Sequence, residues 1–381
     1  MNIGVIGYGL RAEYVLRNFN DFEMGVNLVC VCDPCVEQAK VRIQSSGYKV
    51  EEVTFYEDVD EMMQKEALDG VMIGTPCKSH TDIAIRVMKY NIPMFLEKPV
   101  AISLEQVKAL EEASKSYTAE AVVSFPLRLT PICQLAKEII DSGRLGRIEH
   151  VEAVNNVNYG RVYYHDWYRD ESLTGGLFLQ KSTHDLDYIN YLLGIKPIAI
   201  CAMESKQIFK GDKDAGITCS TCEEYKVCPE SSYTIRNQYH EGVDGEGCAF
   251  AKDTGNHDSA SILTRYETGM HTVYTQNFVV RKKAGKRGAR LIGYKGTLEF
   301  DFATSELTVF SHTTGTVEKH YVDTSGLNHF GGDKALCENF VEVMSGTGAS
   351  KASLQDGILS ALMCLYARES AGQDKFYNIE L

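Results

Sequence analysis

Apolar runs alternate with amphipathic stretches along the first third of the chain. Residues 2–6 form a short apolar run. Gly7-Tyr8-Gly9-Leu10-Arg11-Ala12 follows at once and leads into a segment with apolar positions at Tyr14, Val15, Leu16 and Phe19. The pattern predicts strand, glycine turn, helix. A second apolar run, residues 27–32, ends in Asp33. The alternation continues through residues 70–74, a helical segment over 81–90, and residues 93–96. Next comes a helix opened by Ser103 with Gln106 at capping-box spacing, and then residues 120–123. Strands alternating with helices predict a doubly wound parallel sheet over residues 1–125, with its ligand at the carboxyl ends of the strands.

From residue 126 the pattern changes. Residues 131–146 read as a connecting helix that ends in glycine. Runs at 151–159, 198–203, 259–266, 271–278, 291–294, 297–302 and 307–311 then predict strands separated by glycine and polar turns. Near the end, Ser353 is placed to cap a helix with Ile358, Leu362, Leu365 and Tyr366 on one stripe. The chain therefore reads as an α/β protein of two domains, 1–125 and 126–381.

Composition agrees with a soluble globular protein. Of 381 residues, 44% are hydrophobic and 24% charged, enough to bury a large core. The net charge of −13 speaks against nucleic acid and anionic membranes as partners, since both ask for a basic footprint. No stretch approaches the ~18 consecutive apolar residues of a membrane helix. The start of the chain lacks the pattern of a signal peptide, which predicts a cytoplasmic protein with reduced thiols.

The first glycine turn carries the earliest chemistry. Gly7 suits a tight turn, Gly9 lets backbone N–H groups approach a pyrophosphate, and Ala12 allows helix and strand to pack closely. The helix start then faces the phosphates. Asp33 ends the second strand, where a carboxylate accepts hydrogen bonds from ribose hydroxyls and repels a 2′-phosphate, favouring NAD over NADP. Thr75-Pro76 and Glu97-Lys98-Pro99 fall on the same edge. A lysine there can act as a general acid or base if a cationic nicotinamide lowers its pKa, or it is one half of a surface Glu-Lys pair.

On these residues the chain resembles the Gfo/Idh/MocA family, named for glucose-fructose oxidoreductase, inositol dehydrogenase and a rhizopine-catabolism protein. The resemblance rests on residues 7–12, on Thr75-Pro76 with His80 four residues after the proline, on Glu97-Lys98-Pro99, and on Gly175-Gly176 running to His184. It implies a Rossmann domain followed by an α/β domain with a large, open, mainly antiparallel sheet. It also implies a homo-oligomer and hydride transfer between NAD or NADP and a secondary hydroxyl of a sugar or cyclitol. The final helix, by the same analogy, packs near the first domain. The cofactor is then expected at Gly7, Tyr8, Gly9, Leu10, Arg11, Asp33, Thr75, Pro76, His80, Glu97 and Lys98.

Carried over residue by residue, Lys98 resembles the family's active-site lysine and His184 its catalytic histidine. The aspartate that many members carry four residues before that histidine is here Gln180, followed by Lys181. A glutamine cannot accept a proton. Lys181 therefore joins the catalytic candidates, and Asp185 or Asp187 is a candidate replacement for the absent carboxylate. Two rivals share the fold: a glycosidase that recycles NAD through oxidation, elimination, hydration and reduction, and a non-catalytic NAD(H)-binding regulator.

Three further stretches carry candidate chemistry. Tyr164, Trp167 and Arg169 lie in an aromatic run suited to a sugar, or to a stabilising edge cluster; Gln180 and Asp187 complete the candidate substrate set. Residues 281–290 hold six basic side chains, which fit either an anionic substrate or subunit surface or a solvated hairpin. Finally, twelve cysteines divide into eight dispersed ones, read as core hydrophobes, and Cys219, Cys222, Cys228 and Cys248 in a polar insertion at about 210–250. The spacing suits a structural zinc that supplies folding energy the insertion lacks, with His240 and His257 as reserve ligands. Unliganded thiols, an iron–sulfur cluster or disulfides are the alternatives.

Overall fold

The computed structural model describes residues 1–243, 245–324 and 328–380. The chain divides into two compact units, and the division is not a single cut near residue 125. The first unit gathers residues 1–135, 186–192 and 323–365, and the second gathers 136–185, 193–322 and 366–381.

In the first unit β1 (Asn2–Ile6), β2 (Asn27–Cys32), β3 (Thr54–Tyr56), β4 (Gly70–Ile73), β5 (Met94–Leu96) and β6 (Ala121–Val123) form one parallel sheet. Its order is β3-β2-β1-β4-β5-β6. Both faces of such a sheet are covered, so its strands are apolar without alternation, and Ile3, Val5, Val71, Met72, Ile73 and Phe95 are fully buried. β3 is absent from the sequence expectation because it is three residues long and partly exposed. The helix Gly332–Met344 returns late in the chain to this core, setting Phe340 6.4 Å from Phe19 and 5.7 Å from Phe95 between ring centroids. The Ala352 carbonyl accepts the Val123 amide at 2.7 Å, giving the β6 edge a partner.

One partly buried cation joins these pieces. Arg11, on the helix Leu10–Asp21, donates from Nε to Glu97 (2.8 Å), from Nη2 to Ser124 (3.0 Å), and from both terminal nitrogens to Asp333 (2.9 and 2.7 Å). The carboxylate of Asp333 sits at 2% side-chain exposure and also bonds His329 Nδ1 at 2.7 Å. Burial alone would raise its pKa, but the charges of Arg11 and His329 and their hydrogen bonds outweigh that and hold it well below the usual carboxylate range.

In the second unit β7 (Ile148–Asn156), β8 (Pro197–Ser205), β9 (Ser259–Tyr266), β10 (His271–Asn277), β11 (Lys286–Gly293), β12 (Gly296–Asp301), β13 (Glu306–Ser311), β14 (Val317–Tyr321) and β15 (Tyr377–Asn378) form a nine-stranded sheet. The order is β14-β13-β12-β11-β7-β10-β9-β8-β15, antiparallel except where β10 runs beside β7. Buried and less buried residues alternate along β9 and β10, the pattern of a sheet with one packed face.

β11 starts five residues earlier than the apolar pattern indicates, inside the basic run. That run is therefore neither a free cationic patch nor a solvated hairpin throughout. Arg287 pairs with buried Asp185 at 2.8 Å, Arg281 with Glu230 at 3.3 Å, and Arg290 with Glu299 at 3.2 Å. Of the eight dispersed cysteines, six are buried as expected, while Cys201 is partly exposed and Cys35 exposed. Among the described residues no helix is long and apolar enough to cross a membrane.

The Arg11 cluster gives a stability prediction. Asp333→Asn removes the charge that faces Arg11 and should lower unfolding stability by about 3 kcal/mol, read as a fall in the urea midpoint. Because the folded carboxyl is depressed, its contribution is complete above the ordinary carboxylate pKa and is lost as pH falls through the folded value. The gap between parent and variant should therefore be flat from neutral pH down to about pH 4 and narrow below it.

Candidate active site

The carboxyl ends of β1, β2, β4 and β5 are tied into one edge. Gly7 N–H donates to the Cys32 carbonyl (2.9 Å), Gly74 N–H to Ile6 (2.8 Å) and Glu97 N–H to Ile73 (3.1 Å). Gly7 has φ +81°, and a Cβ there would stand 2.6 Å from Thr75 Cγ2, so the turn between β1 and its helix requires glycine. At Gly9 a Cβ would meet only the Gly74 carbonyl oxygen, at 3.8 Å, which leaves room beside the helix start for a phosphate group.

Asp33 is pinned at this edge. Its Oδ2 accepts the Tyr8 N–H and its Oδ1 the Cys35 N–H, both at 2.7 Å, and each oxygen keeps a further lone pair. Tyr8 contributes backbone only. Its side chain is fully buried with the hydroxyl on Ser46 (3.0 Å), and burial pushes that hydroxyl up to about 12. Leu10 is exposed, and Arg11 is occupied with Glu97 and Asp333. Arg42, which no motif marked, donates to the Tyr8 carbonyl at 3.2 Å.

Lys98 follows β5 at a cis Lys98-Pro99 bond and is partly exposed, beside the Glu97 carboxylate that Arg11 engages. His80 is buried, with Nδ1 2.8 Å from the Pro99 carbonyl oxygen and Nε2 2.7 Å from that of Thr75. Burial lowers its pKa, and a neutral ring donates to only one of two acceptors. His80 thus ties together the loops that carry Thr75-Pro76 and Lys98, which makes it a positioning residue at the edge.

In the second unit the segment expected to hold the remaining catalytic groups opens with a π-helical turn, Phe178–Ser182, continuous with the helix Thr183–Leu193. Such turns recur at functional sites because they re-aim side chains. Lys181 is buried, and its Nζ donates to the Tyr159 hydroxyl at 2.6 Å. The same ammonium lies 4.5 and 4.9 Å from the ring centroids of Tyr159 and Tyr163. Burial lowers the Lys181 pKa. His184 lies one turn on and is buried.

The carboxylates on either side of His184 are already engaged. Asp185 accepts from Arg287 Nε (2.8 Å) and Nη2 (2.9 Å), Asn155 (2.9 Å) and Tyr274 (2.9 Å). Asp187, which falls in the first unit, accepts two bonds from buried Arg128, at 3.0 and 2.5 Å. Neither is placed as a free replacement for the absent aspartate, and Asp187 is an anchor rather than a substrate contact.

Other expected substrate residues also find structural partners. Tyr164 is fully buried with its hydroxyl on the His257 carbonyl (2.6 Å), so it belongs to the core. Gln180 is buried and donates to the Thr174 carbonyl at 3.0 Å. Arg169 bonds the Cys248 carbonyl, Asp253 and Thr254. Trp167 keeps an exposed face and stacks on Tyr168 at 4.1 Å.

Cys219, Cys222, Cys228 and Cys248 line one cavity of ≈ 10 Å³. Among the described residues, however, no three His, Cys, Asp or Glu side chains already stand as a ligand set around one point, so a preformed zinc site is not found. The reserve ligands also fail. His257 bonds Glu204 (2.9 Å) and Gln276 (2.8 Å), and His240 is exposed.

Comparison with known proteins agrees with this architecture. Residues 1–125 match the model of an oxidoreductase family with an NAD-binding Rossmann fold, and residues 133–299 match the GFO/IDH/MocA C-terminal domain. Scyllo-inositol 2-dehydrogenase (NAD(+)) of Bacillus subtilis is 31% identical over 198 residues, which cover 50% of this chain and 53% of that protein. Inositol 2-dehydrogenase of Rhizobium meliloti is 27% identical over 228 residues, covering 57% and 62%. These alignments thus span between half and two thirds of the relatives' own lengths. A levoglucosan dehydrogenase solved with NADH and levoglucosan shares the fold over 100% of both chains, with a TM-score of 0.80 at 19% identity. Two family models covering consecutive parts of one chain, on the two sheets described above, make this protein a member of the Gfo/Idh/MocA oxidoreductase family.

Proposed function

We propose that the protein is an NAD-dependent dehydrogenase that oxidises a secondary hydroxyl of a cyclitol or sugar derivative. The observation that carries this reading is the edge at which the Gly7 turn, the open space over Gly9, the pinned Asp33 carboxylate and Lys98 meet. These residues suit a dinucleotide: backbone N–H groups for the pyrophosphate and free Asp33 lone pairs for ribose hydroxyls. The substrate class is supported by the relatives named as inositol dehydrogenases. Bound NAD supplies the hydride acceptor at nicotinamide C4.

The chain's own residues then have separate tasks. Lys98 holds the reacting oxygen and stabilises developing negative charge on it. His184 accepts the hydroxyl proton as the C–H hydride leaves and the carbonyl forms. Lys181, hydrogen-bonded to Tyr159 one turn earlier, is the second proton-carrying group in that helix. Asp185 and Asp187, each paired with an arginine, orient the helix. A structural zinc in the insertion is the second bound group of this reading, and its support is the single cavity that all four cysteines line.

Absorbance at 340 nm with NAD and a panel of cyclitols, neutral sugars, uronic acids and glycosides tests the activity. Net NADH from a free cyclitol or sugar is expected. Release of an aglycone without net NADH, or binding of NAD with no turnover on the whole panel, would overturn it. Lys98→Met should lower kcat/KM by about 10²–10⁴-fold while leaving the NAD dissociation constant within about twofold; parent-rate turnover removes Lys98 from its role. Asp33→Ser removes the charge that repels a 2′-phosphate, so the ratio of kcat/KM for NADP to that for NAD should rise by about tenfold or more.

A further inference from the structure

The loop after β7 is tied down on both sides of one projecting side chain. Val157 N–H donates to the Asn277 carbonyl at 2.8 Å, and Asn158 Nδ2 donates to the Lys282 carbonyl at 3.0 Å. Gly160 lies so close to Phe278 that a Cβ there would stand 2.4 Å from its carbonyl oxygen. Tyr159, between them, is 54% exposed. A loop fixed in this way presents the phenol in one place.

On its inner side Tyr159 meets a charge. The buried Lys181 side chain donates from Nζ to the phenol oxygen at 2.6 Å. Among the described residues no carboxylate lies within ion-pair distance of that ammonium, and Asp185, four residues on, is taken by Arg287, Asn155 and Tyr274. The rings of Tyr159 and Tyr163, with centroids 4.5 and 4.9 Å away, favour the charged form of the lysine instead.

Donor and acceptor counting then orients the phenol. An ammonium has N–H donors and no lone pair, so Tyr159 accepts from Lys181 and its own O–H is turned away from it. Among the described residues that O–H has no acceptor. The result is a rigidly held, half-exposed donor whose oxygen is polarised by a cation, and such polarisation strengthens the bond it gives.

We infer that Tyr159 is a specificity-determining residue, donating its O–H to a ligand hydroxyl other than the one oxidised, so that the site selects polyols over their deoxy analogues. The inference rests on the dehydrogenase reading above, which gives Lys181 and His184 to the reaction, and it adds the residue through which Lys181 acts on the ligand. No proton leaves Tyr159 in this role. The bond orients the ligand, while hydride and proton leave from the reacting carbon and its oxygen.

Monodeoxy analogues of whichever cyclitol or sugar gives net NADH test this, each measured with the parent and with Tyr159→Phe, which keeps the ring beside Lys181 and removes the hydroxyl. At one ring position the missing hydroxyl should cost the parent about tenfold or more in kcat/KM and the variant no more than about twofold. At the other positions the penalty should be the same in both proteins. On the complete substrate Tyr159→Phe should raise KM about tenfold with kcat within about threefold, because a contact to a non-reacting hydroxyl is made equally in ground and transition states. Each penalty is a ratio between two substrates of one protein, so a loss of folded enzyme cancels. Equal penalties in parent and variant at every position overturn the inference and leave the dehydrogenase reading in place. No NADH from any free cyclitol or sugar overturns that reading, and the inference with it.

Discussion

Arg11 is the charge on which the first unit's ligand edge depends. Its guanidinium holds the Glu97 carboxylate next to Lys98, the Ser124 hydroxyl after β6, and the buried Asp333 carboxylate on a helix that arrives more than three hundred residues later. A partly buried cation is costly unless its donors are used, and here the donors are shared among three elements. The consequence is local rigidity at the ligand edge: Glu97, the residue before Lys98, is held, and His80 ties the other side of the same loop to Thr75. An arginine that sits within a phosphate-binding fingerprint thus works on the protein rather than on the phosphates.

The second unit repeats the device on the helix that bears His184. Asp185 is saturated by Arg287, Asn155 and Tyr274, side chains from three adjacent strands of the nine-stranded sheet. Carboxylates so engaged are tied into the fold, because releasing them would leave their buried partners unpaired. This separates roles that the sequence leaves merged. The acids beside His184 are held by the fold, while Lys181 and Tyr159 are joined by one short bond, with the ammonium over two rings.

Part of this was legible from the chain alone. Residues 2–33 encode strand, turn, helix, strand and acid within one short stretch, so the first glycine turn and Asp33 could be placed from spacing. The same locality made Lys98 and His184 recognisable through motifs. What could not be read was any pairing between distant residues. Nothing near Arg11 announces Asp333, and nothing near Asp185 announces Arg287. Tyr164 was misjudged for a related reason: an aromatic in a run looks the same whether it faces a ligand or the core, and only its burial distinguishes the two.

By itself the sequence determined the class of the protein: the βα alternation, the glycine turn, the carboxylate after the second strand and the lysine after the fifth are set by short-range periodicity and steric need. The tertiary structure alone decided which charged groups remain available for chemistry. Ionisable side chains acquire their state from whatever is buried against them, and those neighbours come from other parts of the chain. It therefore consigned Arg11, Asp185, Asp187 and much of the basic run to holding the fold.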